Sequence, residues 1–183
     1  GLVEGENLTI DYQNGNGDPN NLNTIAEQFV SENEDLVLAI ATTAAQTMAA
    51  KTDTIPIIGT AITSYTEAGL MEDENAPGGN VTGTTDMNPV EDQMELIFEI
   101  CPDVKTVGFL YCNSEDNSRL QVEIAKEWLD ENNIAHVERT VANTNDVQQA
   151  VSSNQEAAQS PSTPQLLASL ESAFRRAEAV TPP

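Results

Sequence analysis

Two dense apolar runs, each closed at once by a polar turn, constrain this chain more than any other feature. Leu36-Val37-Leu38-Ala39-Ile40 leads into Thr42-Thr43-Ala44-Ala45-Gln46, and Val107-Gly108-Phe109-Leu110-Tyr111 leads into Asn113-Ser114-Glu115-Asp116-Asn117-Ser118. Near-continuous apolar character predicts strands buried on both faces, as in a parallel sheet. The turns then read as loops that open helices. An open α/β sheet takes its ligand at this edge, and the free amides of a helix start suit a carboxylate or other anion. Two such edges in separate units predict a cleft that closes on a small molecule.

The other elements follow the same plan. Leu8 to Tyr12 alternates as a short strand, and Asn14 to Pro19 is a turn-rich loop. Asn20 or Asn21 then caps a helix that runs to about Asn33, with Leu22, Ile25, Ala26, Phe29 and Val30 at helical spacing. A helix over 42–51, a strand over 55–61, a third loop at Ile62-Thr63-Ser64-Tyr65 and a short helix over 66–70 complete one parallel layer with right-handed crossovers. The extended piece 81–84 leaves that layer. Pro89 opens the next helix, which Pro102 ends. A strand over 106–111, a helix over 117–132, a strand from Ile134 to Val141 and a helix from about Val147 to Val151, capped by Asn143 to Asp146, form a second unit. Residues 152–165 are small and polar, as in a linker, and 166–174 read as one amphipathic helix with Arg175 and Arg176 at its end.

Charge narrows the function. The formal charge of -23 argues against a nucleic acid backbone or an anionic membrane as partner. It reads as an acidic, solvated shell. Residues 1–150 hold 27 acidic and 5 basic side chains, whereas 151–183 hold 3 and 2, so the tail has a different origin or task. No stretch approaches the roughly 18 apolar residues of a membrane span. Serine nucleophile elbows, phosphate loops, zinc spacings and dinucleotide fingerprints are absent, so no catalytic residue, cofactor or metal is assigned. Cys101 and Cys112 read as ordinary thiols, His136 as a surface residue opening a strand, and Trp128, Met87 and Met94 as helix packing.

Several segments together carry a family likeness. They are Glu4 to Asn14, Ala39 to Gln46, Pro77-Gly78-Gly79-Asn80-Val81-Thr82-Gly83-Thr84-Thr85-Asp86, Val104 to Gly108, Leu110 to Ser118 and Asn143 to Gln148. In these the chain resembles the tryptophan/tyrosine-type substrate-binding proteins of ABC importers over about residues 1–151. The resemblance implies an incomplete type I periplasmic-binding-protein-like fold, with three-layer parallel-sheet lobes. It implies a first lobe over 1–84, a hinge at 85–87 and a second lobe over 88–151, with 152–183 unrelated to the family. In such proteins a strand and a helix precede the equivalent of Gly1, and further strands and helices follow the equivalent of Val151. Ser64-Tyr65 stands where the family usually has aspartate-proline.

The implied function is extracytoplasmic capture of a small amino acid, aromatic by family, in the cleft between the lobes. The implied partners are that ligand and a membrane permease, with the protein a monomer held in the periplasm or anchored as a lipoprotein. Ligand contact is expected at Thr42, Thr43, Ala44, Thr63, Ser64, Asp86, Asn113, Glu115, Asn117 and Ser118. Hydroxyls and amides at 42–44 would hold a carboxylate, and Asp86 would meet an ammonium group. Each has a plainer reading. Thr42 or Thr43 would be an N-cap, Ser64 an ordinary turn residue, Asp86 the cap of the helix near Asn88, and Asn117 or Ser118 a helix cap. Tyr65 and Tyr111 would stack on an aromatic ligand or pack in the lobes. Three other readings compete: a sensory ligand-binding module, an enzyme pairing Asp86 with Glu115, and a fragment with bare sheet edges and no function alone.

Overall fold

Asp18 starts the first helix, α1 (Pro19–Glu32), by accepting the amide of Asn20 at 2.8 Å. Pro19 suits the first helical turn, where a missing N–H costs nothing. That fixes the cap at Asp18 rather than at Asn20 or Asn21. Asn33 closes the helix in the left-handed conformation. The chain's computed structural model describes residues 1–142 and 145–151, and the chain divides into two units, Gly1–Met87 and a second beginning at Asn88.

The first unit continues with β1 (Val37–Ile40), α2 (Thr42–Ala49), β2 (Ile57–Ile62) and β3 (Val81–Thr85). The strands form one parallel sheet in the order β1-β2-β3. Contrary to the sequence reading, 81–84 does not leave the layer but supplies its third strand. Asn80 explains this, since its side-chain amide donates to the carbonyls of Thr52 (3.1 Å) and Ile55 (2.9 Å). Its own carbonyl accepts the Ile57 amide at 2.8 Å, so the entries of β2 and β3 are tied together.

Two other expectations fail here. Leu8 to Tyr12 forms no strand; Leu8 makes one isolated bridge with Glu4, and Ile10 and Tyr12 are exposed. Alternation makes a strand only where a neighbour takes up the backbone groups, and no described strand pairs with this segment. Residues 65–69 form turns rather than a helix, closed by bonds from the amides of Ala68 to Ser64 and Leu70 to Tyr65. Gly69, at φ +67°, turns the chain away before a second helical turn can form.

The core of this unit gathers Ala26, Val37, Ala39, Ala45, Met48, Ile57, Ile62, Tyr65 and Val81. Both α1 and α2 contribute to it, so they cover the same face of the sheet. The alternate residues Leu38 and Ile40 of β1 are exposed. An irregularity between Gly59 and Ile62, with Ala61 at φ 54°, resets the alternation of β2 and returns Ile62 to the core. Tyr65 lies over Gly59 and Gly83, where any Cβ would collide with its hydroxyl.

The second unit holds α3 (Val90–Ile100), β4 (Thr106–Cys112), α4 (Asp116–Glu131) and β5 (Ala135–Val141), with helical residues again at 145–151. The two strands pair in parallel from Thr106 opposite Ala135 to Cys112 opposite Val141. Val90, Met94, Val107, Ala125 and Leu129 form the core, and Trp128 packs on Phe98 with ring centroids 5.7 Å apart. Met94 packs as expected, but Met87 precedes α3 and is exposed. Both cysteines are free. His136 is half-buried on β5 beside Phe109, with Nε2 3.1 Å from Asp130. The expected cap at Asn143 and Thr144 and everything assigned to 152–183 lie outside the described residues.

One ion cluster ties α4 to β5. Lys126 Nζ lies 2.7 Å from Glu138 and 3.1 Å from Glu123, while the Tyr111 hydroxyl donates to Glu138 at 2.8 Å. The Lys126 ammonium, then the Tyr111 hydroxyl, hold the Glu138 carboxyl below its ordinary range. A folded pKa below the unfolded one stabilises above the unfolded value, about 4.3 for glutamate, and the gain is lost as pH falls through the folded value. Stability of this unit, followed by Trp128 emission in urea, is therefore expected to fall below about pH 5, and less steeply in Glu138→Gln. Equal slopes in the two proteins would show that the cluster adds nothing.

Candidate functional site

In the first unit all three strands run the same way, so their C-terminal ends share one edge. Ile40 pairs with Thr60 and Ile62 with Thr85, which brings the loops after β1, β2 and β3 side by side. Thr42, Thr43 and Ala44 follow β1, Thr63 and Ser64 follow β2, and Asp86 follows β3. The edge is therefore a consequence of parallel pairing, the geometry that suits ligand capture.

The turn into α2 is strained. Ala41 occupies the N-cap position at φ 81° and ψ 154°, a region suited to glycine, and its amide is held by the Thr60 carbonyl at 3.0 Å. Such a conformation costs on the order of 1–3 kcal/mol and persists only where its surroundings enforce it. Because Ala41 takes the cap position, Thr42 is the first helical residue and not the N-cap. Thr42 is only 5% exposed, and its Oγ1 has no hydrogen-bond partner. A buried hydroxyl in that state costs roughly 1–3 kcal/mol. Strain and an unanswered donor thus coincide at the start of α2. Thr43 and Ala44 are half-buried in the same first turn, and the Thr43 carbonyl accepts the Thr47 hydroxyl at 2.7 Å.

The loops after β2 and β3 are joined directly. The buried Thr63 donates through Oγ1 to Asp86 at 3.4 Å, and its carbonyl accepts the Thr85 hydroxyl at 2.7 Å. The Asp86 amide donates to the Ile62 carbonyl at 3.1 Å. Asp86 does not cap α3, whose N-cap position is Pro89 with no side-chain bond. Its carboxylate is exposed on the edge beside Thr63. Ser64 serves its own turn, accepting the Glu67 amide at 3.2 Å. Tyr65 is buried, with its hydroxyl donating to the Thr84 carbonyl at 3.2 Å. Burial pushes its phenol above the ordinary range against the opposing effect of that bond. It is a core residue rather than a platform for a ligand ring.

The second unit has a comparable edge after β4 and β5. Asn113 is exposed there, and Glu115 holds the N-cap position of α4 without a side-chain capping bond. Asn117 and Ser118 lie inside the first turn of α4, so neither is its cap. Oδ1 of Asn117 is buried without a hydrogen-bond partner. An open cavity of about 410 Å³ borders this edge, lined by Asn113, Arg139, Thr140 and Asp146 among others. Arg139, Thr140 and Asp146 were not among the expected site residues. The signal available was position, since Arg139 and Thr140 stand at the C-terminal end of a strand predicted from 134 to 141. Among the described residues, the carboxylates of Asp11, Glu32 and Glu34 come within 4.8 Å of one another at the surface of the first unit, a grouping that needs no ion on so acidic a chain.

Known proteins resemble this chain over most of its length. A curated protein named tyrosine-binding protein, from Clostridioides difficile strain R20291, is 40% identical over 153 residues, covering 84% of this chain and 44% of its own length. The crystal structure of an ABC domain in complex with L-Trp from Streptococcus pneumonia is 40% identical, with a TM-score of 0.80 over 84% of this chain and 52% of that one. A conserved domain protein from Vibrio cholerae O1 biovar El Tor is 42% identical with a TM-score of 0.81 over the same shares. The chain thus spans about half the length of the relatives it matches. The parallel α/β units are those of a periplasmic-binding-protein-like fold. The family profile itself, described as ABC transporter substrate binding protein, matches residues 1–169, past the last segment that carries the motif likeness. With its profile matched over most of its length, the chain belongs to the ABC transporter substrate binding protein family.

Proposed function

We propose that this chain captures an aromatic amino acid outside the cytoplasm for delivery to an ABC permease. The observation that carries the reading is Thr42, a buried hydroxyl without a partner at the first turn of α2, behind the strained Ala41. A ligand carboxylate supplies what that hydroxyl lacks, and the start of α2, with Thr43 and Ala44 in its first turn, favours the negative charge. Asp86, beside Thr63, receives the ligand ammonium group through a charge-assisted bond. Ser64 contributes by shaping the turn. Asn113, Glu115, Asn117 and Ser118 are proposed as ligand contacts on the second unit's own edge. The relatives named for tyrosine and crystallised with L-Trp support an aromatic side chain on the ligand. Among the described residues no helix is long and apolar enough to cross a membrane, and the permease partner rests on the family. Relatives named for binding favour capture over an acid–base role for Asp86 and Glu115.

Thermal unfolding with and without amino acids tests this. Ligand at about 100 times its Kd is worth roughly 2.7 kcal/mol, which for a chain of this size raises the unfolding temperature by about 5–10 °C. L-tryptophan, L-tyrosine or L-phenylalanine is expected to do so, and glycine is not. A cooperative transition unmoved by every aromatic amino acid would overturn the proposal.

A further inference from the structure

The loop after β2 is held from two sides. From beneath, Tyr65 seats its ring over Gly59 and Gly83, and Thr84 and Thr85 bind its hydroxyl and the Thr63 carbonyl. From outside, a single carboxylate oxygen, Oε1 of Glu74, accepts the amide of Tyr65 at 2.9 Å, the hydroxyl of Ser64 at 3.3 Å and the amide of Thr66 at 3.4 Å. Ser64 in turn accepts the Glu67 amide and shares a 3.0 Å hydrogen bond with Thr66. Three donors at successive positions thus converge on one oxygen contributed from eight to ten residues downstream. Without it, the amides of Tyr65 and Thr66 have no described acceptor, and outside the sheet the turn keeps only its internal bonds and the Gln46 side-chain amide, which donates to the Ala68 carbonyl at 3.0 Å.

We infer that Glu74 is a positioning residue for ligand capture. It acts as a built-in anion that fixes the 63–66 loop, so that Thr63 and its partner Asp86 keep their place on the binding edge. The inference rests on the reading of that edge as an amino acid site. Glu74 touches no ligand itself; its effect passes through the loop backbone. A negative acceptor is the right chemistry for the task, because hydrogen bonds to an ionised group exceed neutral ones even when the group is exposed.

The test uses the whole chain as wild type, Glu74→Ala and Glu74→Gln. It combines amide hydrogen exchange by NMR with calorimetric titration of L-tryptophan and L-tyrosine. In Glu74→Ala, exchange at Tyr65 and Thr66 is expected to speed up about tenfold while Ile57 and Ile58 in β2 stay protected. Affinity should weaken by about fivefold, the size expected for a charged acceptor partly screened by water. Glu74→Gln keeps an acceptor oxygen and is expected to restore most of the protection and affinity. Unchanged exchange in Glu74→Ala would overturn the inference. Faster exchange with full affinity would also overturn it, leaving Glu74 a mere brace. A wild type that takes up neither amino acid would overturn the binding reading and Glu74's part in it, whatever the exchange data show.

Discussion

Gly83→Ala is expected to cost the first unit about 4 kcal/mol, the sum of a steric and a backbone penalty. A Cβ at this position would sit 2.0 Å from the Gly59 carbonyl oxygen and 2.3 Å from the Tyr65 hydroxyl. Neither neighbour can retreat. Gly59 is paired with Gly83 in the ladder between β2 and β3, and Tyr65 is buried with its hydroxyl bonded to Thr84. The φ of +158° adds a conformation that side chains rarely adopt. Against a total stability of roughly 5–15 kcal/mol this is a large share, so the unfolding temperature followed by circular dichroism should fall by about 10 °C or more. Gly79→Ala is the control: its Cβ would meet nothing within 4 Å, and its transition should match the wild type. If both variants melted together, the packing of β3 against Tyr65 would have to be wrong.

Thr42→Val separates binding from folding by the sign of two effects. Valine keeps the shape and deletes the hydroxyl that has no partner, so stability without ligand should hold or rise by about 1 kcal/mol. Affinity for the aromatic amino acid should fall by about 10- to 100-fold, the worth of one hydrogen bond to a carboxylate. Calorimetric titration alongside thermal unfolding measures both. Thr42→Ser, which retains the hydroxyl, should bind within a few-fold of wild type. Loss of stability with unchanged affinity would mean that the hydroxyl serves the fold alone.

The parallel plan of this chain was legible because its signals are local. The apolar runs at 36–40 and 107–111, each with a polar turn behind it, became β1 and β4, each leading into a helix. The helix over 117–132 carried its own periodicity and stands as α4. What escaped depends on partners distant in the chain. Whether 8–12 is a strand turns on a neighbour that alternation does not reveal. Whether 81–84 joins the sheet turns on Asn80 reaching Thr52 and Ile55. The site divides along the same line. The edge positions of Thr42 and Thr63 followed from where strands end, whereas Asp86 was singled out by the hinge that the resemblance implies and reaches this edge only because 81–85 joins the sheet. That Ala41 displaces Thr42 from the cap, and that Asp86 answers to Thr63 instead of α3, are matters of dihedral angle and side-chain reach.

Ala41 has a consequence for anyone who improves this protein. Glycine accepts its backbone angles without penalty, and valine at 42 would silence the unanswered hydroxyl next to it. A screen that rewards heat tolerance or expression yield will favour both replacements, because each removes a local defect. On the proposed reading, the product would be a sturdier domain and a poorer receptor. If the proposed site is right, departure from the best scaffold sequence at this turn marks where the chain was shaped by its ligand.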